Sequence, residues 1–212
     1  MKRDAVLEII LAMKVIAVIR MKEADQVLRV TDALQRGGVK ALEITMTVPG
    51  ALEIIRKLAG TRPEGVIFGA GTVLDAKTAA EAVSAGADFV VSPVADAGMI
   101  AACRASDTLV APGAFTPTEI VSAWEKGADI VKVFPSTSLG PQYFKDLKGP
   151  LPQIRLMPTG GVTIENARAF IEAGASAVGI GTALVDKKAV ETGDWDVLTE
   201  RARRLVDSLR DV

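Results

Sequence analysis

The sequence predicts a single-domain (β/α)8 barrel, an α/β fold in which eight parallel strands alternate with crossover helices. Three observations lead there. Short apolar runs alternate with helical segments along all 212 residues. The strand starts lie roughly 20 to 26 residues apart, room for one strand, one helix and two short loops. A phrase also recurs before several strands: Gly38-Val39-Lys40-Ala41, Gly86-Ala87-Asp88, Gly127-Ala128-Asp129 and Gly174-Ala175-Ser176. It marks a repeated helix–turn–strand unit. A doubly wound open sheet is the alternative; the regular alternation favours the barrel.

The eight expected strands are Val15–Arg20, Lys40–Thr45, Val66–Ala70, Asp88–Ser92, Thr108–Ala111, Asp129–Phe134, Ile154–Pro158 and Ala175–Gly181. Several are nearly continuous apolar runs, as parallel strands covered on both faces require. Helix starts are signalled by Thr116-Pro117-Thr118-Glu119, which reads as an N-cap, a first-turn proline and a capping-box glutamate. Asp75 precedes a helix over Ala76–Ala85, and Thr163 one over Ile164–Ala173. Glycines at 37–38, 86, 127 and 174 stop helices. Residues 4–13 read as an N-terminal helix capping the barrel's bottom, and residues 194–209 as an amphipathic closing helix. No linker divides residues 1–212.

Composition narrows the function. The net charge is −1 and no basic stripe appears, which argues against nucleic-acid binding. The only cysteine, Cys103, cannot form an intrachain disulfide and suits a reducing, cytoplasmic location; it reads as core filler on a helix over Ala97–Ala105. Acidic and basic residues (Asp4, Glu8, Lys14) interrupt the N-terminal apolar run, and no run of about 18 apolar residues spans a membrane. The chain has no histidine. Ser-His and Cys-His nucleophile pairs and histidine-rich zinc sites are excluded, so a general base must be carboxylate, lysine, tyrosine or water. The one tyrosine, Tyr143, has no partner evident in the sequence.

Lys132 stands out inside the apolar run Ile130-Val131-Lys132-Val133-Phe134-Pro135. Burial there favours the uncharged amine, a nucleophile able to condense with a carbonyl. Glu43, in Ala41-Leu42-Glu43-Ile44-Thr45, is the acidic counterpart. Neither suits the apolar helix layer, so both are expected to point inward and meet at the barrel mouth, where Arg20 and Thr72 also fall. A structural ion pair is the competing reading, though buried pairs add little net stability. In the functional reading Lys132 forms an imine with a 2-oxo acid and Glu43 moves protons. Pro158-Thr159-Gly160-Gly161-Val162 and Gly179-Ile180-Gly181-Thr182 end the last two strands. Their amides can approach an anion, and barrels often bind phosphate there. Neither is a dinucleotide fingerprint.

Together these residues resemble the 2-keto-3-deoxy-6-phosphogluconate (KDPG) and 4-hydroxy-2-oxoglutarate (KHG) aldolase family. The resemblance runs through Val18-Ile19-Arg20, Leu42-Glu43-Ile44-Thr45, Gly69-Ala70-Gly71-Thr72-Val73, Ser92-Pro93, Pro112-Gly113 with Thr116-Pro117, Lys132-Val133-Phe134-Pro135 and the two glycine loops. It implies a class I aldolase without metal or cofactor, with Lys132 forming the imine and Glu43 as acid/base. Thr72 and Pro93 match positions contacting the pyruvate portion. Gly160, Gly161 and Thr182 match the phosphate end. The resemblance also implies a homotrimer acting on a small, phosphorylated 2-keto acid. One departure stands out. Many members carry an arginine where this chain has Thr47, so the Thr47 hydroxyl and nearby amides are left to hold the pyruvyl carboxylate, with Arg20 to supply the charge. A second is Ser136-Thr137, where an acidic residue often appears. KHG cleavage and cleavage of a phosphogalactonate epimer are the alternatives within the family. A phosphate-binding isomerase or synthase barrel, or a silent oligomeric scaffold, are those outside it.

Overall fold

The computed structural model describes all 212 residues. Its strands are β1 (Val15–Ile19), β2 (Ala41–Thr45), β3 (Ile67–Gly71), β4 (Phe89–Val91), β5 (Leu109–Ala111), β6 (Gly113–Ala114), β7 (Val131–Val133), β8 (Leu156–Pro158) and β9 (Val178–Ile180). The helices are α1 (Arg3–Met13), α2 (Val27–Arg36), α3 (Ala51–Gly60), α4 (Ala76–Ser84), α5 (Ala97–Ala105), α6 (Pro117–Glu125), α7 (Gly140–Lys148), α8 (Ala167–Glu172), α9 (Lys187–Thr192) and α10 (Trp195–Ser208). No helix is long and apolar enough to cross a membrane.

The strands form a six-stranded sheet, ordered β5-β4-β3-β2-β1-β9, and a three-stranded sheet, β6-β7-β8; all pairings are parallel. The fifth expected strand, Thr108–Ala111, is found as β5, and the chain forms a further short strand, β6, past Pro112, which has no N–H to give a ladder. Hydrogen bonds nevertheless cross between the sheets on both sides. The Asp129 amide donates to the Val110 carbonyl at 3.0 Å and the Lys132 amide to Pro112 at 2.9 Å. Opposite, Ser176 donates to Leu156 at 2.8 Å, and Thr159 bridges Gly179.

Alternation along the strands separates two apolar layers. Ile16, Ala41, Ile67, Phe89, Leu109, Ile130, Met157 and Ala177 pack together inside, closed from below by Val6 and Ile10 of α1. Their strand neighbours, such as Leu42, Ile44, Val131 and Val133, face the helices in a larger outer core that includes Cys103. Burial pushes the Cys103 thiol up to about 12, which suits filler and not a nucleophile.

Local capping follows the sequence at two helices. Asp75 accepts from the Thr78 amide at 2.7 Å, and Thr116 and Glu119 close a reciprocal capping box on α6. The helix after β8 differs from expectation. Thr163 and Asn166 cap each other across a turn, with the Thr163 amide donating to Asn166 Oδ1 at 2.7 Å, and α8 begins only at Ala167. Asn166 competes for the backbone as a turn-forming amide. Tyr143 also gains a partner invisible in sequence: its hydroxyl donates to the Phe115 carbonyl at 2.7 Å.

Candidate active site

Lys132 shares the inner face of β7 with Ile130, while Val131 and Val133 are committed to the outer core. It is 4% exposed. Burial lowers its pKa below the ordinary lysine value; the Glu43 charge opposes this, and Arg20 reinforces it. Its Nζ lies 4.8 Å from the centre of the Phe134 ring. That ring supports the amine by cation–π attraction when charged and by an apolar contact when neutral.

Glu43 shares the inner face of β2 with Ala41 and is 1% exposed. Burial raises its pKa, with Lys132 and then Arg20 pulling the other way. Its Oε2 is buried without a hydrogen-bond partner. Withdrawing an ion from water costs several kcal/mol. No direct ion pair joins Glu43 to Lys132, and burial outweighs the attraction between them in both shifts. Burial thus shifts the carboxyl toward its protonated form and the amine toward its uncharged form.

The rim is organised around these two. Arg20, exposed just past β1, donates to Thr72 Oγ1 at 3.3 Å. Thr72 is held at φ 58°, an uncommon conformation for a β-branched residue. Pro93 follows β4 and presses its backbone on Gly113: a side chain at Gly113 would stand 2.8 Å from Pro93 Cα. Gly113 is in register with Lys132, so Pro93 flanks the lysine's level. Thr47 lies outside this group; it is exposed and its hydroxyl meets that of Thr45.

The glycine loops sit at the same end. Gly160 and Gly161 take φ values of 84° and 74°, and a side chain at Gly161 would come within 2.7 Å of Thr137 Cα. The amides of Gly160, Gly161 and Thr182 make no backbone hydrogen bond. Asn166 fixes the loop by donating to the Gly161 carbonyl at 2.9 Å. Gly181 passes the Val18 carbonyl closely, where a side chain would stand at 3.3 Å. Ser136 ties the loop after β7 inward: its hydroxyl donates to Val133 and its amide to Thr159.

The family model for KDPG and KHG aldolases matches residues 6–201. The chain belongs to this aldolase family. It is 34% identical to the 2-dehydro-3-deoxy-phosphogluconate aldolase of Haemophilus influenzae over 97% of both chains. It is 36% identical to the Pseudomonas aeruginosa protein of the same description, over 92% of this chain and 88% of that one. It is also similar, with a TM-score of 0.84, to the crystal structure of Legionella pneumophila KDPG aldolase holding pyruvate as a covalent carbinolamine. That match has 29% identity over 94% of this chain and 97% of the other.

Three further residues of this aldolase's candidate site were not singled out from sequence. Thr159 is the most informative. It is buried, its Oγ1 has no partner, and it packs where a Gly179 side chain would be. It sits two residues past Met157, the register partner of Lys132, on the same inner face. Phe134 and Asn166 are the others. Thr-Gly-Gly reads as a turn in sequence, and only the strand register reveals that the threonine faces inward. Beside the aldolase site, a cavity of about 440 Å³ opens between Pro93, Gly113, Phe115 and Phe134 on one side and Ser122 of α6 and Lys126 just past it on the other.

Proposed function

We propose that this aldolase cleaves 2-keto-3-deoxy-6-phosphogluconate reversibly to pyruvate and glyceraldehyde 3-phosphate through an imine on Lys132. The observation that carries the reading is the buried couple of Lys132 and Glu43, without an ion pair between them and each shifted by burial toward the protonation state the first step uses. The neutral Nζ attacks the C2 carbonyl and forms a carbinolamine. Glu43 gives its proton to the departing hydroxyl, which leaves as water, and the iminium remains. The Glu43 carboxylate then accepts the proton of the C4 hydroxyl. The C3–C4 bond breaks, its electron pair enters the iminium, and the aldehyde departs. Glu43 returns the proton to C3 of the enamine, and water hydrolyses the imine to pyruvate and free amine.

Arg20 and Thr72 are assigned to the pyruvyl carboxylate, with Pro93 walling its methyl side. The amides of Gly160, Gly161 and Thr182, with the sharp passage at Gly181, are assigned to the phosphate. Thr159, between the amine and these loops, is assigned to a hydroxyl of the substrate's central carbons. We further infer that residues 1–212 form one domain whose strands close into a (β/α)8 barrel, supported by the hydrogen bonds that cross both seams. A cytoplasmic homotrimer is part of this reading; exposed Leu74, Val94 and Phe115 on successive β–α loops supply an apolar surface for it.

Release of pyruvate, followed with a coupled dehydrogenase, tests the substrate. Efficiency on the phosphorylated sugar acid is expected to exceed that on 4-hydroxy-2-oxoglutarate and on the galactonate epimer. Equal or reversed efficiencies would overturn the substrate assignment and leave the imine chemistry standing.

A further inference from the structure

Glu43, Gly69 and Phe89 lie in one register row across β2, β3 and β4. All three belong to the inner face, yet the Glu43 carboxyl is not in that row. The three atoms nearest to where a Gly71 side chain would begin are Oε1, Cδ and Cγ of Glu43, with Cγ at 2.6 Å. Gly71 is two residues further along β3, about 6.6 Å closer to the mouth at the usual strand rise. The space over Gly69 is taken by the Phe89 ring, whose Cζ lies 2.5 Å from a Gly69 side-chain position. Phe89 is fully buried and cannot yield that space without opening the inner core.

We propose that Gly71 and Phe89 are positioning residues for the reaction: the ring fills the lower slot and the bare Cα opens the upper one, lifting the Glu43 carboxyl to the level of the substrate. This rests on the acid–base role assigned to Glu43. The backbone at Gly71 is not in the left-handed region, so alanine's backbone conformation is allowed there, and the three atoms nearest its methyl all belong to the Glu43 side chain. Gly113 is the contrast, since its side chain would strike the Pro93 backbone.

The test is a double-mutant cycle of Gly71→Ala with Glu43→Gln, read as kcat and KM for cleavage. Gly71→Ala is expected to lower kcat tenfold or more with little change in KM, and to add no further loss in the Glu43→Gln background. Wild-type kcat in Gly71→Ala, or additive losses, would each overturn the proposal. Should Gly71→Ala fail to fold, Phe89→Leu takes its place in the same cycle with the same outcomes. Failure of the acid–base role itself is separated by a second readout that needs no turnover. The Glu43 carboxyl titration, obtained by infrared difference between each protein and its Glu43→Gln counterpart, is expected to fall in Gly71→Ala as the carboxyl leaves its apolar slot. Lys132 and Arg20 are the charges acting on that carboxyl in both proteins. An unchanged titration would reject the positioning whatever the activity.

Discussion

The hydroxyls of Thr45 and Thr47 lie 2.8 Å apart, and Thr45 gives its one proton to the Ile19 carbonyl at 3.2 Å. The Thr47 proton is therefore directed to Thr45, and only its lone pairs remain for a ligand. A carboxylate needs donors. Of the two candidates offered by sequence, Arg20 is the one with donors to spare, and its bond to Thr72 already aims it across the rim. Arg20→Ala is expected to raise the KM for the keto acid about tenfold or more, equivalent to ~1.4 kcal/mol of lost binding, while Thr47→Val changes it by less than threefold. Steady-state kinetics on the two variants decide; the reverse order would return the carboxylate to Thr47.

Glu43 also makes a prediction about stability. Its pKa is raised in the folded protein, so the unfolded chain loses this proton first as pH rises above the ordinary carboxylate range. The folded state then holds more protons, and stability falls with rising pH. Lys132 acts in the opposite sense: its pKa is lowered, so stability is lost as pH falls and the unfolded chain takes up the proton. Glu43→Gln removes the first of these terms. Its melting temperature relative to wild type is expected to rise as pH increases from the acid side through neutrality, and a pH-independent difference would contradict the burial of an unpaired carboxyl.

Thr159 places stability and activity in opposition. A buried hydroxyl without a partner costs about 1–3 kcal/mol, and Thr159 Oγ1 is such a group. Thr159→Val keeps the shape and removes the cost, so the variant is expected to melt higher by a few degrees. The hydroxyl assigned to the substrate is then gone, and kcat/KM is expected to fall about tenfold or more. A variant with unaltered kinetics would remove Thr159 from the site.

The glycine loop predicts selectivity for the phosphate end. A methyl at Gly161 meets the Thr137 backbone and must adopt a positive φ. Gly161→Ala is expected to raise KM for the phosphorylated substrate at least tenfold while altering cleavage of the unphosphorylated KHG by less than threefold. Equal losses on both would mean that the loop has a structural role only.

The amine and carboxyl were legible because each breaks an apolar strand, and a lone charge in such a run has few physical explanations. Arg20 and Thr72 were legible by their place at strand ends. What escaped depends on pairing between strands. Gly71 reads as part of a glycine-rich turn until the register places Glu43 over it. Thr159 reads as part of a phosphate loop until its side chain is seen to face inward. Pro112 sits at the end of an expected strand, and its effect on the ladder follows from hydrogen bonds no single segment contains. Thr163 and Asn166 close a turn on each other before α8 begins, a reciprocal side-chain bonding that residue preferences alone do not reveal.

The most direct measurement is reductive trapping. Protein incubated with pyruvate and borohydride, then digested and sequenced by mass spectrometry, is expected to carry one reduced pyruvyl group, on Lys132, and none in Lys132→Arg, whose guanidinium forms no imine. An unmodified protein, or a label on any other lysine, would contradict the account.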